Sequence, residues 1–322
     1  MQLMQPDPAA ALLGLRAMKM VATAAGPIGP AQRALMEAAR RVILHLDADI
    51  DTLAPVTPAE LAAGFPGPAL RHQFVDGMLV VALADGVPAR ATVARIEEFA
   101  EALGVAATEL GDLHRLAEHH MLLFKLDFLR RSQIGDIMKN QLEQKGPLGL
   151  AKAVLGLRGV MEDTALAARY RAWERLPEET LGNAVWRFYQ KNGFSMPGEK
   201  GGFPEAGLYH DLSHVLGGYD TDPEGEVEVA SFSAGYKRTR PFYMVMFAVM
   251  VFSTGVNVRP TAGNVTTGVL GKPGMAERMF AAIERGSQVN TDLSDKWDYW
   301  PYVELPLEEA RRRLNVVAKA SG

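Results

Sequence analysis

The 322-residue chain contains no cysteine. That absence removes disulfides, thiolate metal sites, iron–sulfur clusters and cysteine nucleophiles in one step, so any metal must be held by nitrogen and oxygen. An excess of one charge is missing too: 34 basic side chains stand against 38 acidic ones, a net charge of −4. With no basic stripe carrying interleaved aromatics, nucleic acid is not an expected partner. The apolar run from Phe242 to about Val256 makes about 15 residues, or roughly 22 Å of helix, short of the roughly 30 Å hydrocarbon core. A second apolar stretch, Ala9 to Ala25, is interrupted by Arg16 and Lys19 and follows no basic segment. It does not read as a secretory signal, and a cytoplasmic location is the expectation.

Several motifs fail on inspection. Asp47-Ala48-Asp49-Ile50-Asp51 begins like a calcium loop, yet Thr52 and Pro58 stand where glycine and glutamate are needed. Gly271-Lys272 is followed by Pro273, and no glycine stands five before Gly271, so the phosphate-binding pattern is broken. His114, His119 and His120 have offsets of five and six, which scatter the rings around a helix. They read as surface or partner-contacting residues.

What is present is helix-forming sequence, 48% hydrophobic, and long enough for two domains. From Ala9 the chain is rich in Ala, Leu, Arg and Glu, which favour helix. Met20 to Gly26 with the helix that ends near Arg41 is echoed by Val80 to Gly86 with Ala91 to Gly104. This alanine-rich helix, small-residue turn and acidic helix resembles the TerB-like tellurite-resistance domain. Asp85, in the second turn, reads as an N-terminal helix cap. Lys145-Gly146-Pro147-Leu148-Gly149 marks a boundary. The expected architecture is all-α, with a TerB-like helical domain over residues 1–145 and a second helical domain over 146–322.

In the second half, Tyr209-His210-Asp211-Leu212-Ser213-His214 places two histidines one helical turn apart, so both rings can meet one cation. Asp211 lies about 100° further round and reaches that cation only by leaning in or through a water; a supporting role behind the ligands fits equally well. The Gly-, Asp- and Pro-rich turn from Gly217 to Pro223 can bring Glu226 back over the rings. On spacing alone such a pair is more often a solvated face or a hydrogen-bonded core element than a metal site.

The wider context changes the balance. The string from His210 to Phe232 resembles the signature of the Coq4 family of ubiquinone-biosynthesis proteins: HDxxH, a glycine-bearing turn, then GEV and a nearby phenylalanine. Leu176 to Gly182 with Phe188 and Asn192-Gly193-Phe194 is similar to its LPxxTLG segment. Ile283-Glu284-Arg285-Gly286 and Pro306 to Arg311 are similar to its closing elements. Together these cover about Lys152 to the C-terminus. The resemblance implies a divalent ion on His210, Asp211, His214 and Glu226, zinc first, with iron, manganese and cobalt open. It implies oxidative removal of the C1 carboxyl from a polyprenylated aromatic acid, with a hydroxyl in its place. It also implies a helical, dimeric, peripheral membrane protein working beside other quinone-biosynthesis proteins, here at the inner membrane. A fused TerB-like domain departs from the family layout. Glu226-Val227-Glu228-Val229 alternates as a strand would, but the resemblance implies helix, and helix is the expectation.

Helix 242–252, apolar all round, reads either as a buried core element or as one wall of a channel for a prenyl tail, lined by Phe242, Met246, Phe247 and Met250. Lys237, Arg238 and Arg240 just before it read as a solvated turn or as contacts for an anionic headgroup or membrane surface. Three functional classes follow: a metal-dependent enzyme acting on a prenylated aromatic acid, a non-catalytic prenyl-lipid scaffold, and, least favoured, a metal phosphohydrolase of the HD type.

Overall fold

The computed structural model describes residues 2–65, 67–106, 108–118, 124–125, 128, 139, 142–143, 146, 162–256, 266–294 and 297–319. His119, His120 and most of the boundary stretch near residue 145 lie outside them. The described residues form thirteen α-helices and no sheet, the all-α class expected. Six lie in the first half: α1 (Pro8–Ala22), α2 (Pro30–Ala38), α3 (Pro58–Gly64), α4 (Pro68–Leu83), α5 (Arg90–Leu103) and α6 (Thr108–Ala117). Seven follow: α7 (Thr164–Arg171), α8 (Leu181–Asn192), α9 (Leu208–Gly217), α10 (Pro223–Tyr236), α11 (Phe242–Phe252), α12 (Met275–Ser287) and α13 (Leu307–Leu314).

The starts are written locally. Asp7 accepts from the Ala9 and Ala10 amides ahead of Pro8, Thr57 and Glu60 form a reciprocal capping box, and Asp222 accepts from the Gly225 amide at 2.7 Å ahead of Pro223. One cap is not local. The Asp85 carboxylate accepts from the Ala31 amide at 2.9 Å and the Gln32 amide at 2.8 Å, so it caps α2. The expected capping chemistry is there, but it serves a helix more than fifty residues upstream rather than the one that follows.

Two apolar cores share α10 between them. Val227, Ala230 and Ala234 of α10 belong to a first core with Leu15, Met78, Phe99, Met246 and Met279. Val229, Phe232 and Tyr236 belong to a second with Tyr170, Trp173, Leu212 and Tyr299. The first core therefore draws on both sides of residue 145, and the cores are not divided where the sequence placed a boundary. The reason is α11: apolar on every face, it packs against the N-terminal helices. Its Tyr243 hydroxyl donates to the buried Asp112 of α6 at 3.0 Å, and Ser253 just beyond it donates to the Ala84 carbonyl at 2.9 Å. Among the described residues no helix is long and apolar enough to cross a membrane.

α10 and α12 touch backbone to backbone. A Cβ on Gly235 would lie 2.4 Å from the Ile283 carbonyl oxygen, and one on Gly286 would lie 2.0 Å from the Phe232 carbonyl oxygen. Only glycine permits that approach, which fixes α10 and with it the position of Glu226.

Candidate metal centre

α9 carries His210 and His214 on one face, and α10 returns Glu226 to it. The sequence achieves this with a tight reversal: α9 ends at Gly218 in the left-handed region (φ 70°), and Asp222 restarts the chain as α10. Three backbone carbonyls at the helix end are held by cations distant in sequence. Arg311 donates to the Leu216 and Val215 carbonyls, each at 3.0 Å, and Arg285 donates to the Gly217 carbonyl at 2.7 Å. These guanidinium groups satisfy carbonyls that a helix terminus leaves open, where the helix dipole favours positive charge.

The Nε2 atoms of His210 and His214 are 3.1 Å apart. Glu226 places Oε2 3.4 Å from His210 Nε2 and Oε1 3.5 Å from His214 Nε2. Ligands held at about 2.0–2.1 Å on tetrahedral axes are separated by about 3.3–3.4 Å; the two rings stand near that spacing and a different Glu226 oxygen faces each of them, so the three groups surround one point where a cation can sit. Among the described residues this is the one group of three or more such side chains with ligand atoms close enough to share a cation.

The tautomer supports that use. His214 Nδ1 lies 3.1 Å from the Tyr219 carbonyl oxygen, which can only accept, so Nδ1 carries the proton and Nε2 keeps a lone pair for the cation. The Phe188 ring stacks on His214 at 5.5 Å and 27°, fixing its plane. Burial alone would push the Glu226 carboxyl up, but the two imidazoles beside it outweigh that and hold the group well below the usual carboxylate range. The His214 side chain is 1% exposed and that of His210 is 35% exposed, so the centre opens to solvent on the His210 side.

Asp211 does not join the three. Its carboxylate accepts a short hydrogen bond from the Tyr189 hydroxyl of α8. The 100° offset turns it into the protein, where burial pushes its carboxyl up and Tyr189 well up. The ligand role implied for Asp211 is replaced by a contact behind the site, and the reason is helical geometry. Tyr189, Phe188 and the Tyr219 carbonyl were not singled out for the site from the sequence, since no local spacing connects them to the histidines.

The remaining predicted groups fall elsewhere. Met246 and Met250 are fully buried in the first core, Phe247 is partly buried against it, and Phe242 lines a cavity. That burial fits the reading of the helix as a core element, since a helix apolar all round is usually buried. Lys237 is not a headgroup contact presented to solvent: it is 4% exposed and its ammonium donates to Ser294 at 3.1 Å. The Arg238 amide donates to Asp292 and its guanidinium to the Asn290 carbonyl, while Arg240 sits in the turn to α11 with φ 49°. His114 meets Glu97 on the neighbouring α5 instead of a metal. Asp51 pairs with Arg33 at 2.7 Å, and Asp49 caps a single turn at Ile50–Thr52, as expected for a solvated acidic segment.

No family model matches the chain, and no curated protein matches it.

Proposed function

We propose that the chain is a divalent-metal enzyme of the ubiquinone-biosynthesis type, acting on a prenylated aromatic acid. The observation that carries this reading is the set of 3.1, 3.4 and 3.5 Å separations among His210, His214 and Glu226, with the His214 tautomer already fixed. His210, His214 and Glu226 would hold the ion, and a nitrogen–oxygen set of three leaves positions free, unlike a closed structural zinc site. The bound ion supplies Lewis acidity toward a carboxylate or phenolate oxygen. The protein's own part is to keep both Nε2 lone pairs and the Glu226 charge aimed at one point, to exclude water on the His214 side, and to admit substrate on the His210 side.

The reaction carried over from the resemblance is oxidative decarboxylation. The ring–carboxyl bond breaks with loss of carbon dioxide, and a ring–oxygen bond forms. One oxygen atom of dioxygen enters the ring, and the other leaves as water with two protons and two electrons from a reductant. Peripheral membrane contact and a homodimer belong to the same proposal.

The test is metal analysis of natively purified full-length protein with mass spectrometry of co-purifying lipid, alongside His210→Ala. The expected result is a bound divalent ion lost in a variant that still folds, together with turnover of a prenylated benzoate. Full metal occupancy in the variant overturns the site. An intact ion with bound lipid and no turnover selects the scaffold role, and release of phosphate from model phosphoesters selects the phosphohydrolase.

A further inference from the structure

The far end of α10 carries a second arrangement. Lys237 follows Glu226 by eleven residues, about 16 Å along a helix axis, and neither cavity near it is lined by a residue of the metal centre. One cavity, of about 100 Å³, lies where α1, α4, α11 and α12 meet, and its wall is apolar apart from Gln73 and Asp76. The Gln73 amide is already used: it accepts from the Met4 amide at 2.7 Å and donates to the Met4 carbonyl at 2.8 Å. This strap across α4 holds Leu3 and Pro6 against the cavity.

The other cavity is an open cleft of about 370 Å³ with Lys237 and Arg238 in its wall and no carboxylate among its lining residues. Asp292, close by, is engaged by the Ser294 amide and hydroxyl and by the Arg238 amide. The Arg238 guanidinium donates to the Asn290 carbonyl at 3.0 Å, and its five donors leave capacity for a carboxylate.

Cleft and cavity adjoin through three separate stretches of chain. Gln2 lines the cleft and Leu3 the cavity; Pro241 lines the cleft and Phe242 the cavity; Ser287 lines the cleft and Ile283, one turn earlier on α12, the cavity. A cationic cleft and an apolar chamber thus lie side by side. The chamber sets the size of the guest: a cavity of about 150 Å³ takes a benzene ring, so this one takes about four carbons, and the cleft holds the head and the first methylenes.

We propose that this is a binding site for a medium-chain carboxylate, its head on Arg238 and its tail in the chamber between α4 and α11. It stands apart from the metal centre and does not depend on it.

The test is calorimetric titration of the full-length protein with octanoate, acetate, hexadecanoate and inorganic phosphate. It is repeated on Arg238→Gln, which alters an exposed head contact, and on Leu44→Trp, which fills the half-buried chamber wall. Octanoate should bind at one saturable site, acetate and phosphate should not compete, and each variant should weaken binding about tenfold, the loss expected for a charge-assisted contact. Metal content should stay unchanged in both. Absence of octanoate binding overturns the proposal, as does binding that survives either substitution. Acetate or phosphate binding as tightly as octanoate overturns it by showing that the chamber is unused, and a strong preference for hexadecanoate overturns the medium-chain assignment.

Discussion

His214 donates from Nδ1 to the carbonyl oxygen of Tyr219, 3.1 Å away, across the turn that separates α9 from α10. That contact depends on Gly218, whose left-handed backbone (φ 70°) swings the Tyr219 carbonyl back over the ring. In Gly218→Ala the added Cβ disfavours this conformation by about 1 kcal/mol. Metal affinity should fall by about 10-fold or more, as is usual when a ligand's outer partner is disturbed. Equilibrium unfolding and competitive chelator titration measure the two effects separately. Unchanged affinity with reduced stability would show that the Tyr219 contact does not prepare the ligand.

Arg311 bridges two carbonyls at the end of α9, and the fork shape of its guanidinium matters as much as its charge. Arg311→Met should cost about 2–3 kcal/mol, the range for hydrogen bonds to charged groups. Arg311→Lys should recover less than half, because an ammonium cannot span both acceptors. Denaturant midpoints at constant slope read this directly, and full recovery by lysine would reduce the interaction to charge alone.

The Gly235–Gly286 crossing leads to a different expectation. A methyl group at Gly286 meets the Phe232 backbone, which cannot move aside as a side-chain tip can. Gly286→Ala should therefore cost about 3 kcal/mol, the upper end of ordinary overpacking, and should displace α10. Both stability and metal binding should fall, whereas Asp85→Ala, which removes only the cap on α2, should cost about 1–2 kcal/mol and leave metal binding intact.

These contrasts bear on how far the site was legible. His210 and His214 could be paired because helical periodicity puts residues four apart on one face, and Gly217 to Pro223 supplied the chemistry of a chain reversal that returns Glu226. Asp211 stayed open between ligand and supporting role because sequence adjacency to ligands does not say whether a side chain about 100° round the helix leans in. Asp85 showed the right capping chemistry, but its acceptor role lies on a helix brought near only by tertiary packing. Met246 and Met250 could not be assigned a face, since α11 has no polar side to orient it. Lys237 looked solvated as part of a basic triplet, yet it is buried and its ammonium donates to Ser294, distant in sequence.

Alkaline pH should expose a buried tyrosine. The Tyr236 hydroxyl is fully enclosed and bonded at 2.7 Å to both Ser213 and Ser233; burial, partly offset by those two bonds, pushes it up to about 12. The unfolded chain releases the same proton near pH 10. Between about pH 10 and 12 the folded state binds more protons, so its contribution is complete below about 10 and is lost as pH rises through about 12, a total of about 3 kcal/mol. Tyr236→Phe should lose about 1 kcal/mol at neutral pH, as for a net hydrogen bond, and should show a shallower decline above pH 10. An unchanged alkaline slope would mean that Tyr236 does not contribute to it.

Asp211 offers the sharpest contrast between sequence and geometry. If it were a ligand, Asp211→Asn would sharply weaken metal binding, because an amide oxygen is a far poorer donor than a carboxylate. In the structure its oxygen instead receives the Tyr189 hydroxyl, and an asparagine oxygen can accept the same bond. Asp211→Asn should therefore keep the ion, with affinity changed less than in His210→Ala, and should remain folded. Asp211→Ala should behave differently: the Tyr189 hydroxyl is left buried without its acceptor, at a cost of about 1–3 kcal/mol. Tyr189→Phe should relieve part of that cost in the double variant, because it removes the orphaned donor. Metal content and unfolding free energy across this cycle distinguish the roles, and loss of the ion in Asp211→Asn alone would return Asp211 to the ligand set.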